Sequence, residues 1–275
     1  MPTLEQRLLQ VRPALLAVWL KRLLGVRRRV VESRDGVKVF IDPVSHMGRE
    51  ILDTGTYEPD MVNILSNLLR PMDVYFDAGV NEGYFACFAA KVVGPGGKVF
   101  GAEPQARLMD VIARNFELNG VRNAVVENVA LSEKDGQTVL YLSPDTNSGA
   151  SSFFRSTRVG SRPQAVKTLA LDSVLDTHGI ERVRFMKVDC EGAEEAIIAG
   201  ASSALAARRF DFIMIELHPS ITGEGAPVRV DTILRANGYA LAQIANGGWI
   251  YHLPGTEAAL LPLGPFHAVG PLSAR

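Results

Sequence analysis

The sequence has few cysteines, little charge imbalance and no long apolar run, and each shortage excludes a class of protein. Its two cysteines, Cys87 and Cys190, lie far apart and form no C-x-x-C pair. We therefore expect neither a disulfide framework nor a zinc knuckle, a pattern typical of the reducing cytoplasm. The net charge of −1 gives no indication of a nucleic-acid partner. An apolar fraction of 47% is instead typical of a globular protein with a substantial core.

The N-terminal segment, residues 4–30, is rich in leucine and arginine and contains one acid, Glu5. Basic residues interrupt it too often for a signal peptide, and its uncharged stretch 13–20 is too short to cross a bilayer. Two interpretations stay open. The segment is a basic amphipathic helix that contacts anionic lipid as a peripheral membrane contact, or a helix that packs on its own domain or on a second copy in a dimer. Leucines at helical spacing favour packing.

The rest of an N-terminal extension, residues 1–70, follows this basic helix. An Asp-Gly turn between the short β-branched runs 29–32 and 37–41 predicts a hairpin. Apolar residues at helical spacing then predict an entry helix over residues 58–69, which Pro71 ends.

Strand and helix patterns alternate through the second predicted domain, residues 71–275. Strands are expected at 74–78, 98–102, 124–131, 184–188, 211–217, 239–244 and 249–253, and an extra strand at 138–142. Helices are expected at 84–93, 105–119, from 193, and at 228–237. This alternation predicts an α/β, Rossmann-like fold: a mostly parallel seven-stranded sheet with helices on both faces and a C-terminal antiparallel hairpin. The polar segment 143–163 is either a mobile loop or a substrate lid.

A turn rich in small residues follows the first of these strands, with the sequence Asp77-Ala-Gly79-Val-Asn81-Glu-Gly83. Its glycines let the backbone turn sharply, and Asn81 is the residue next best suited to a positive φ. A dinucleotide-binding G-x-G-x-x-G motif would place its third glycine at residue 84, which is Tyr84. The spacing therefore disfavours a nicotinamide dinucleotide. The acid Asp77 suits a cofactor with a positive ammonium group, such as S-adenosyl-L-methionine.

Two later strand ends extend this candidate cofactor site. Glu103, followed by Pro104, ends the second strand, where an acid can accept hydrogen bonds from both ribose hydroxyls. After the third strand, Asn128 and Ala130 are placed to offer a polar side chain and backbone N–H groups to an adenine edge.

This series of segments resembles the FkbM family of methyltransferases over about residues 50–220. The resemblance is carried by Asp77–Tyr84, Glu103-Pro104, Asn128–Ser132, Thr168–Asp172, Lys187–Glu194 and Ile215-Glu216. It implies a class I methyltransferase fold with S-adenosylmethionine as cofactor, and methyl transfer usually to a hydroxyl of a sugar, polyketide or other natural product. It also implies that Gly55–Glu58 begins a helix that closes over the cofactor and that Tyr84 belongs to the site. The chain departs from the family's preferences at Val80, Glu82 and Cys190.

An alcohol acceptor must lose a proton, which requires a general base or a metal ion that acidifies the hydroxyl. Candidates lie at the ends of the fourth and fifth strands, namely Asp189, Glu216 and His218. Asp189 is the first candidate, as the base or as a group that orients substrate or cofactor. The three residues could also bind a divalent metal, although nothing in their spacing requires one. Glu191 and Glu194 also lie there, at a helix start where capping and the helix dipole suffice to explain acids, and a functional role for them is the less favoured alternative.

The sequence therefore predicts an S-adenosylmethionine-dependent methyltransferase, most simply an O-methyltransferase with a small-molecule or glycan acceptor. Two alternatives stay open. One is a binding protein without activity on a methyltransferase scaffold. The other, a nicotinamide-dependent oxidoreductase, has the right fold class and the wrong glycine spacing.

Overall fold

The computed structural model describes residues 3–11, 14–143, 151, 162–244 and 248–273. Within them the N-terminal extension begins with two short helices, α1 (Leu4–Gln10) and α2 (Ala14–Leu23). The prediction of one continuous basic helix is wrong, because the proline at position 13 of the sequence disfavours a helix across it. No helix in the described ranges has the length and apolar content that a membrane span requires.

The predicted hairpin forms from β1 (Arg29–Glu32) and β2 (Lys38–Ile41), which pair antiparallel. Helices α3 (His46–Thr54) and α4 (Pro59–Leu68) follow it. Helix α3 was not predicted from the sequence, although its start and stop signals are present. The Ser45 side chain caps its first turn by accepting from the Gly48 N–H, and Gly55 ends it in the left-handed conformation.

The remaining strands, in chain order, are β3 (Val74–Ala78), β4 (Lys98–Ala102), β5 (Ala124–Glu127), β6 (Ala130–Ser132), β7 (Gly136–Leu142), β8 (Arg162–Ala170), β9 (Val183–Val188), β10 (Phe210–Ile215), β11 (Ala240–Gln243), β12 (Trp249–His252) and β13 (His267–Val269). The remaining helices are α5 (Tyr84–Val93), α6 (Ala106–Asn119), α7 (Leu171–Thr177), α8 (Glu194–Ala199), α9 (Ser202–Ala206), α10 (Pro219–Thr222), α11 (Ala226–Ala236) and a 3-10 helix (Glu257–Leu263).

The main sheet has eight strands in the described part of the chain, in the order β13-β11-β12-β10-β9-β3-β4-β5. Strands β5, β4, β3, β9 and β10 are parallel, and β12 pairs antiparallel with both β10 and β11. The α/β fold class and its C-terminal hairpin are confirmed. The sheet exceeds the expected seven strands because β13 pairs antiparallel with β11.

Successive side chains of a strand point to opposite faces of the sheet, so apolar strands need cover on both faces. Helices provide that cover here. Tyr75 and Phe185 are buried on one face, in a core shared with α4 and α5. Phe76 and Met186, their immediate neighbours in the chain, are buried on the other, in a core shared with α7, α8 and α11. Each such side chain contributes roughly 1.5–3 kcal/mol of burial free energy. The two cores hold the carboxyl ends of the parallel strands in fixed positions.

The predicted third strand, residues 124–131, is wrong as a single element. It divides into β5, which pairs with β4 in the main sheet, and β6, which pairs with β8 in a separate three-stranded sheet of order β6-β8-β7. A continuous apolar run does not show that its two halves pair with different partners, because periodicity reports burial and not pairing. Most of the segment 143–163, predicted as a loop or lid, lies outside the described residues, and both interpretations stay predictions.

Candidate active site

A cavity of about 310 Å³ lies at the carboxyl ends of β3, β4, β9 and β10. The connections of the sheet reverse direction between β3 and β9, and open α/β sheets bind ligands at such a point. Nine of the thirteen predicted site residues line this cavity: Glu58, Gly79, Asn81, Glu103, Pro104, Ala130, Asp189, Glu216 and His218. Their functional roles stay predictions, but the structure does bring them together.

The four other predicted site residues, Asp77, Gly83, Tyr84 and Asn128, are absent from the cavity wall. Gly83 precedes α5 in the left-handed conformation, with φ 84°. The Tyr84 hydroxyl donates to Asp35 Oδ2 at 2.5 Å, so this ring is anchored to the N-terminal hairpin. Its side chain instead borders a small adjoining pocket that shares Glu58 with the main cavity.

Close backbone contact explains the glycine at position 79. Its φ is 94°, and a Cβ atom there would lie 2.2 Å from the carbonyl oxygen of Asp189 on the neighbouring strand end. No residue with a side chain fits. The turn beyond it is held by Asn81, whose φ is 51° and whose N–H donates to Glu103 Oε2 at 2.8 Å.

Glu103 organises the end of the second parallel strand. Its buried carboxylate accepts from the Asn81 N–H and, at 2.9 Å, from the Gln105 N–H. Burial raises its pKa to about 7, although these two hydrogen bonds act in the opposite direction. Asn128 contacts the backbone of Glu103, since its Nδ2 donates to the Glu103 carbonyl at 2.8 Å. The structure thus assigns the Asn128 amide a positioning contact that the sequence analysis did not foresee.

The carboxylate of Asp77, at the end of β3, is buried and only partly satisfied. Its Oδ1 has no hydrogen-bond partner among the described residues. Burial raises its pKa to about 7, and the nearby Lys187 acts against this shift. The nearby Tyr75 hydroxyl, also buried, lowers this pKa as a hydrogen-bond donor, and a cationic ligand in the adjoining cavity would further favour the ionised form.

Lys187 is a buried cation that the sequence analysis did not single out. Its Nζ donates to Asp189 Oδ2 at 2.8 Å and lies 5.5 Å from the centre of the Phe85 ring. Burial lowers its pKa, but Asp189 and Asp77 outweigh that effect and raise it above the usual range. The available signal was the K-x-D spacing, which puts residues 187 and 189 on the same side of a strand and its extension.

Asp189, the first candidate for a catalytic base, is the anionic half of this pair. Burial raises its pKa, but the charge of Lys187 outweighs burial and holds the pKa below its usual range. A carboxylate that binds a proton so weakly is better suited to orienting a ligand than to accepting a proton from an alcohol.

His218 forms a hydrogen-bonded pair with Glu194, an acid that the sequence analysis attributed to helix capping. His218 Nδ1 lies 2.8 Å from Oε1 of Glu194, which is buried and also accepts from the Gly192 N–H at 3.0 Å. This hydrogen bond raises the pKa of His218 to about 9. On the other side of the ring, Nε2 lies 3.9 Å from one oxygen each of Glu191 and Glu216.

Unfavourable backbone conformations concentrate at the cavity. Of the five described residues other than glycine with positive φ, three line it: Glu58 at 43°, Asn81 at 51° and Glu191 at 48°. Such conformations cost roughly 1–3 kcal/mol each and persist where the surrounding fold imposes them, most often at functional sites.

These features match S-adenosylmethionine, which carries a sulfonium and an ammonium cation. Five carboxyl groups line the cavity, those of Glu58, Glu103, Asp189, Glu191 and Glu216. The buried Asp77 Oδ1 has no hydrogen-bond partner among the described residues, and the backbone at Gly79 leaves a cradle that a side chain would fill. Asp189 would hold the methionine part and Glu103 the ribose, and Asp77, which is buried and absent from the wall, would add its negative charge. Among the described residues no group of three or more His, Cys, Asp or Glu side chains is arranged to hold a metal ion.

A mostly parallel sheet of this order, with a cavity at the point where the connections reverse, is typical of the fold of class I S-adenosylmethionine-dependent methyltransferases. The family model for the "Methyltransferase FkbM domain" matches residues 77–241, which is more than half of the chain. The chain belongs to this family, as its motifs predict.

Among individual relatives, the chain is similar to the hexuronic acid methyltransferase AglP of Haloferax volcanii, with 24% identity over 164 residues. The match covers 60% of this chain and 64% of that protein. Among solved structures, the O-methyltransferase TomG of Streptomyces achromogenes has 14% identity, a TM-score of 0.47 and coverage of 86% of this chain and 95% of its own. An O-methyltransferase of Bacillus cereus has 15% identity, a TM-score of 0.45 and coverage of 74% and 88%.

Proposed function

We propose that this methyltransferase acts on a hydroxyl group of a sugar, a glycolipid or another natural product. The observation that carries the proposal is the pair formed by His218, which lines the cavity, and the buried Glu194 behind its Nδ1. A buried carboxylate fixes the imidazole through Nδ1 and leaves Nε2 on the side of Glu191 and Glu216. An alcohol must lose its proton during transfer, and an imidazole oriented in this way is a suitable acceptor.

In this proposal Nε2 of His218 takes the proton of the acceptor hydroxyl, and Glu194 stabilises the resulting imidazolium. With a pKa of about 9, His218 is mostly protonated at neutral pH in the free protein. A positive charge in the cavity lowers this pKa by repulsion and prepares Nε2 to accept a proton. The bound cofactor supplies the electrophilic methyl group.

The remaining acids have distinct places in this proposal. Asp189 stays ionised beside Lys187 and orients the ligands. Glu216 is well exposed at the edge of the cavity and also lines a second cavity of about 760 Å³ with mixed apolar and polar walls. The acceptor enters from that side. Glu216 and Glu191 both line the cavity near Nε2 of His218, and in their ionised form they repel an anionic carboxylate and leave a neutral hydroxyl as the better acceptor group.

The name of the Haloferax volcanii relative supports a sugar acid as the first acceptor to test. A hexuronic acid offers both hydroxyl groups and a carboxylate. The assay must therefore identify which group is methylated, in addition to measuring how much methyl is transferred. Methyl-labelled S-adenosylmethionine is incubated with the protein and a panel of hexuronic acids and neutral glycosides. Label that survives mild alkali is a methyl ether, and label that is released is a methyl ester.

We expect alkali-stable label, and we expect the variant His218→Asn to lose transfer while it still binds cofactor. Alkali-labile product would overturn the proposed hydroxyl specificity. Cofactor binding without transfer to any acceptor would instead support a binding protein on this scaffold. A role for a divalent metal is tested in the same assay, since it predicts that a chelator stops transfer and that added Mg²⁺ restores it.

A further inference from the structure

Helix α2 exposes a row of apolar side chains. Leu16, Trp19 and Leu23 are 42%, 57% and 66% exposed, and their spacing of three and four places them on one face of the helix. The opposite side holds the helix to the domain, since Ala17 is buried and Lys21 forms an ion pair with Asp42. The predicted packing on the chain's own domain therefore involves one side of α2 and leaves the apolar row in solvent.

Basic residues accompany this row, although three of them form ion pairs: Lys21 with Asp42, Arg28 with Glu82 and Arg29 with Glu5. In the described part of residues 3–29 there are six basic residues and one acid, Glu5. Arg22, in the last turn of α2, and Arg27, just beyond it, are exposed. A helix with tryptophan and leucine on one face and arginine beside it is typical of segments that lie in the interface of an anionic membrane.

The segment that α2 contacts leads directly to the cavity wall. Asp42, the partner of Lys21, comes shortly before His46, which begins α3 and lines the main cavity. A surface bound through α2 would therefore hold the protein by an element adjacent to its active site.

We propose that Leu16, Trp19 and Leu23, together with Arg22 and Arg27, bind the surface of an anionic lipid membrane. A second copy of the chain is the less favourable occupant. A two-fold contact through this face would bring the arginines of both copies together, and like charges across an interface are repulsive. Anionic headgroups neutralise the same arginines while the apolar row enters the acyl boundary.

The proposal is tested by flotation of the full chain with vesicles of phosphatidylcholine, with and without phosphatidylglycerol. We expect flotation with the anionic vesicles only, and weaker flotation at high salt. Trp19→Ser with Leu23→Ser should lower the partition coefficient by about tenfold or more, since two large apolar side chains no longer enter the membrane. Arg22→Gln with Arg27→Gln should also weaken binding to the anionic vesicles.

The matched control is Leu261→Ser, since Leu261 is also 66% exposed but lies in the 3-10 helix. It should float like the unaltered chain. An independent readout is the fluorescence of Trp19 in a Trp249→Phe background, because the chain has two tryptophans. Its emission should shift to the blue with anionic vesicles.

Three results would overturn the proposal. The first is no flotation of the unaltered chain with anionic vesicles. The second is equal flotation of the chain and the Trp19→Ser, Leu23→Ser variant. The third is a dimer by light scattering that the same variant converts to a monomer, which would assign the face to a second copy. Thermal unfolding of each variant separates these results from a loss of folding.

Discussion

Arg28 of the N-terminal extension and Glu82 of the turn after β3 form an ion pair with two hydrogen bonds. The Arg28 guanidinium donates from Nη1 to Oε2 at 2.7 Å and from Nη2 to Oε1 at 2.9 Å. Glu82 is 1% exposed, and its carbonyl also accepts from Asn115 Nδ2 at 2.7 Å. The acid that departs from the family's preference thus has a structural role, since it binds the extension to the turn below the cavity.

Removal of one partner of this pair should destabilise the fold strongly. Glu82→Gln leaves the Arg28 guanidinium without its countercharge, a change that costs roughly 3–5 kcal/mol in a fully buried pair. The Arg28 side chain is 20% exposed, so water screens part of the loss and we expect about 2–3 kcal/mol. Urea unfolding measures the change. The double variant Arg28→Met, Glu82→Met should lose less than the sum of the single variants Arg28→Met and Glu82→Met. Strict additivity would show that the pair is not coupled.

Replacement of Gly79 by alanine should affect both stability and cofactor binding. The added methyl group would meet the Asp189 carbonyl oxygen at 2.2 Å in a backbone conformation with φ 94°. The control is Gly120→Ala, where φ is 64° and no atom lies within 4 Å, so only the backbone cost of about 1–2 kcal/mol applies. We expect Gly79→Ala to lose clearly more in urea unfolding and to lose measurable cofactor binding by calorimetry. Equal losses in the two variants would show that the close contact is unimportant.

Binding of S-adenosylmethionine should strengthen as the pH rises through about 7. Asp77 and Glu103 both have a pKa raised to about 7 by burial, so each is protonated in part of the free protein at neutral pH. A cationic ligand favours the ionised carboxylate of Asp77, and ribose hydroxyls donate best to an ionised Glu103. Binding should therefore release protons. Calorimetry in buffers of different ionisation enthalpy measures this release. It should shrink in Asp77→Asn, and unchanged release in that variant would contradict the assignment.

The same two carboxyl groups should make the free protein less stable at high pH. Their folded-state pKa lies above the value of an unfolded chain, so the stability they contribute is fully present below about pH 4 and is lost as the pH rises through about 7. Glu103→Gln should flatten this part of the profile in urea unfolding without cofactor. If the unfolding free energy keeps the same dependence on pH in both Asp77→Asn and Glu103→Gln, then Asp77 and Glu103 do not cause that dependence.

The pH dependence of methyl transfer should report His218. Transfer requires neutral Nε2, so kcat/KM for S-adenosylmethionine, which reports the free protein, should rise with pH towards the pKa of about 9 that the Glu194 hydrogen bond gives His218. Glu194→Gln removes the charge that raises this pKa and should move the rising limb to lower pH. His218→Asn should remove the limb and lower kcat by roughly 10²–10⁴-fold, the usual contribution of a general base.

The control for this experiment is Glu195→Gln. Glu195 is the next acid along α8 but pairs with Arg229 at 2.6 Å and not with His218. It should leave the pH profile in place. If the rising limb of the kcat/KM profile keeps its position in Glu194→Gln, the hydrogen bond to Glu194 does not set the pKa of His218.

The sequence by itself determined most of the strands of the main sheet, several of the helices between them and the order in which they occur. Strands 74–78 and 98–102 and helix 84–93 have the predicted bounds, because apolar runs between glycine and proline breaks are properties of neighbouring residues. It also determined that Asp77, Glu103 and Asp189 lie near one another. Each ends a parallel strand, and such strands end at the same edge of a sheet.

Only the tertiary structure decided which side chains meet. Glu194 contacts His218 across 24 positions of the chain, and Arg28 contacts Glu82 across 54. No periodicity relates residues so far apart, since their distance depends on how whole helices and strands pack. The same packing buries Lys187 beside Asp189 and thereby weakens the first candidate base. Sequence patterns therefore locate the site, and the packed fold decides the charge and the partner of each group in it.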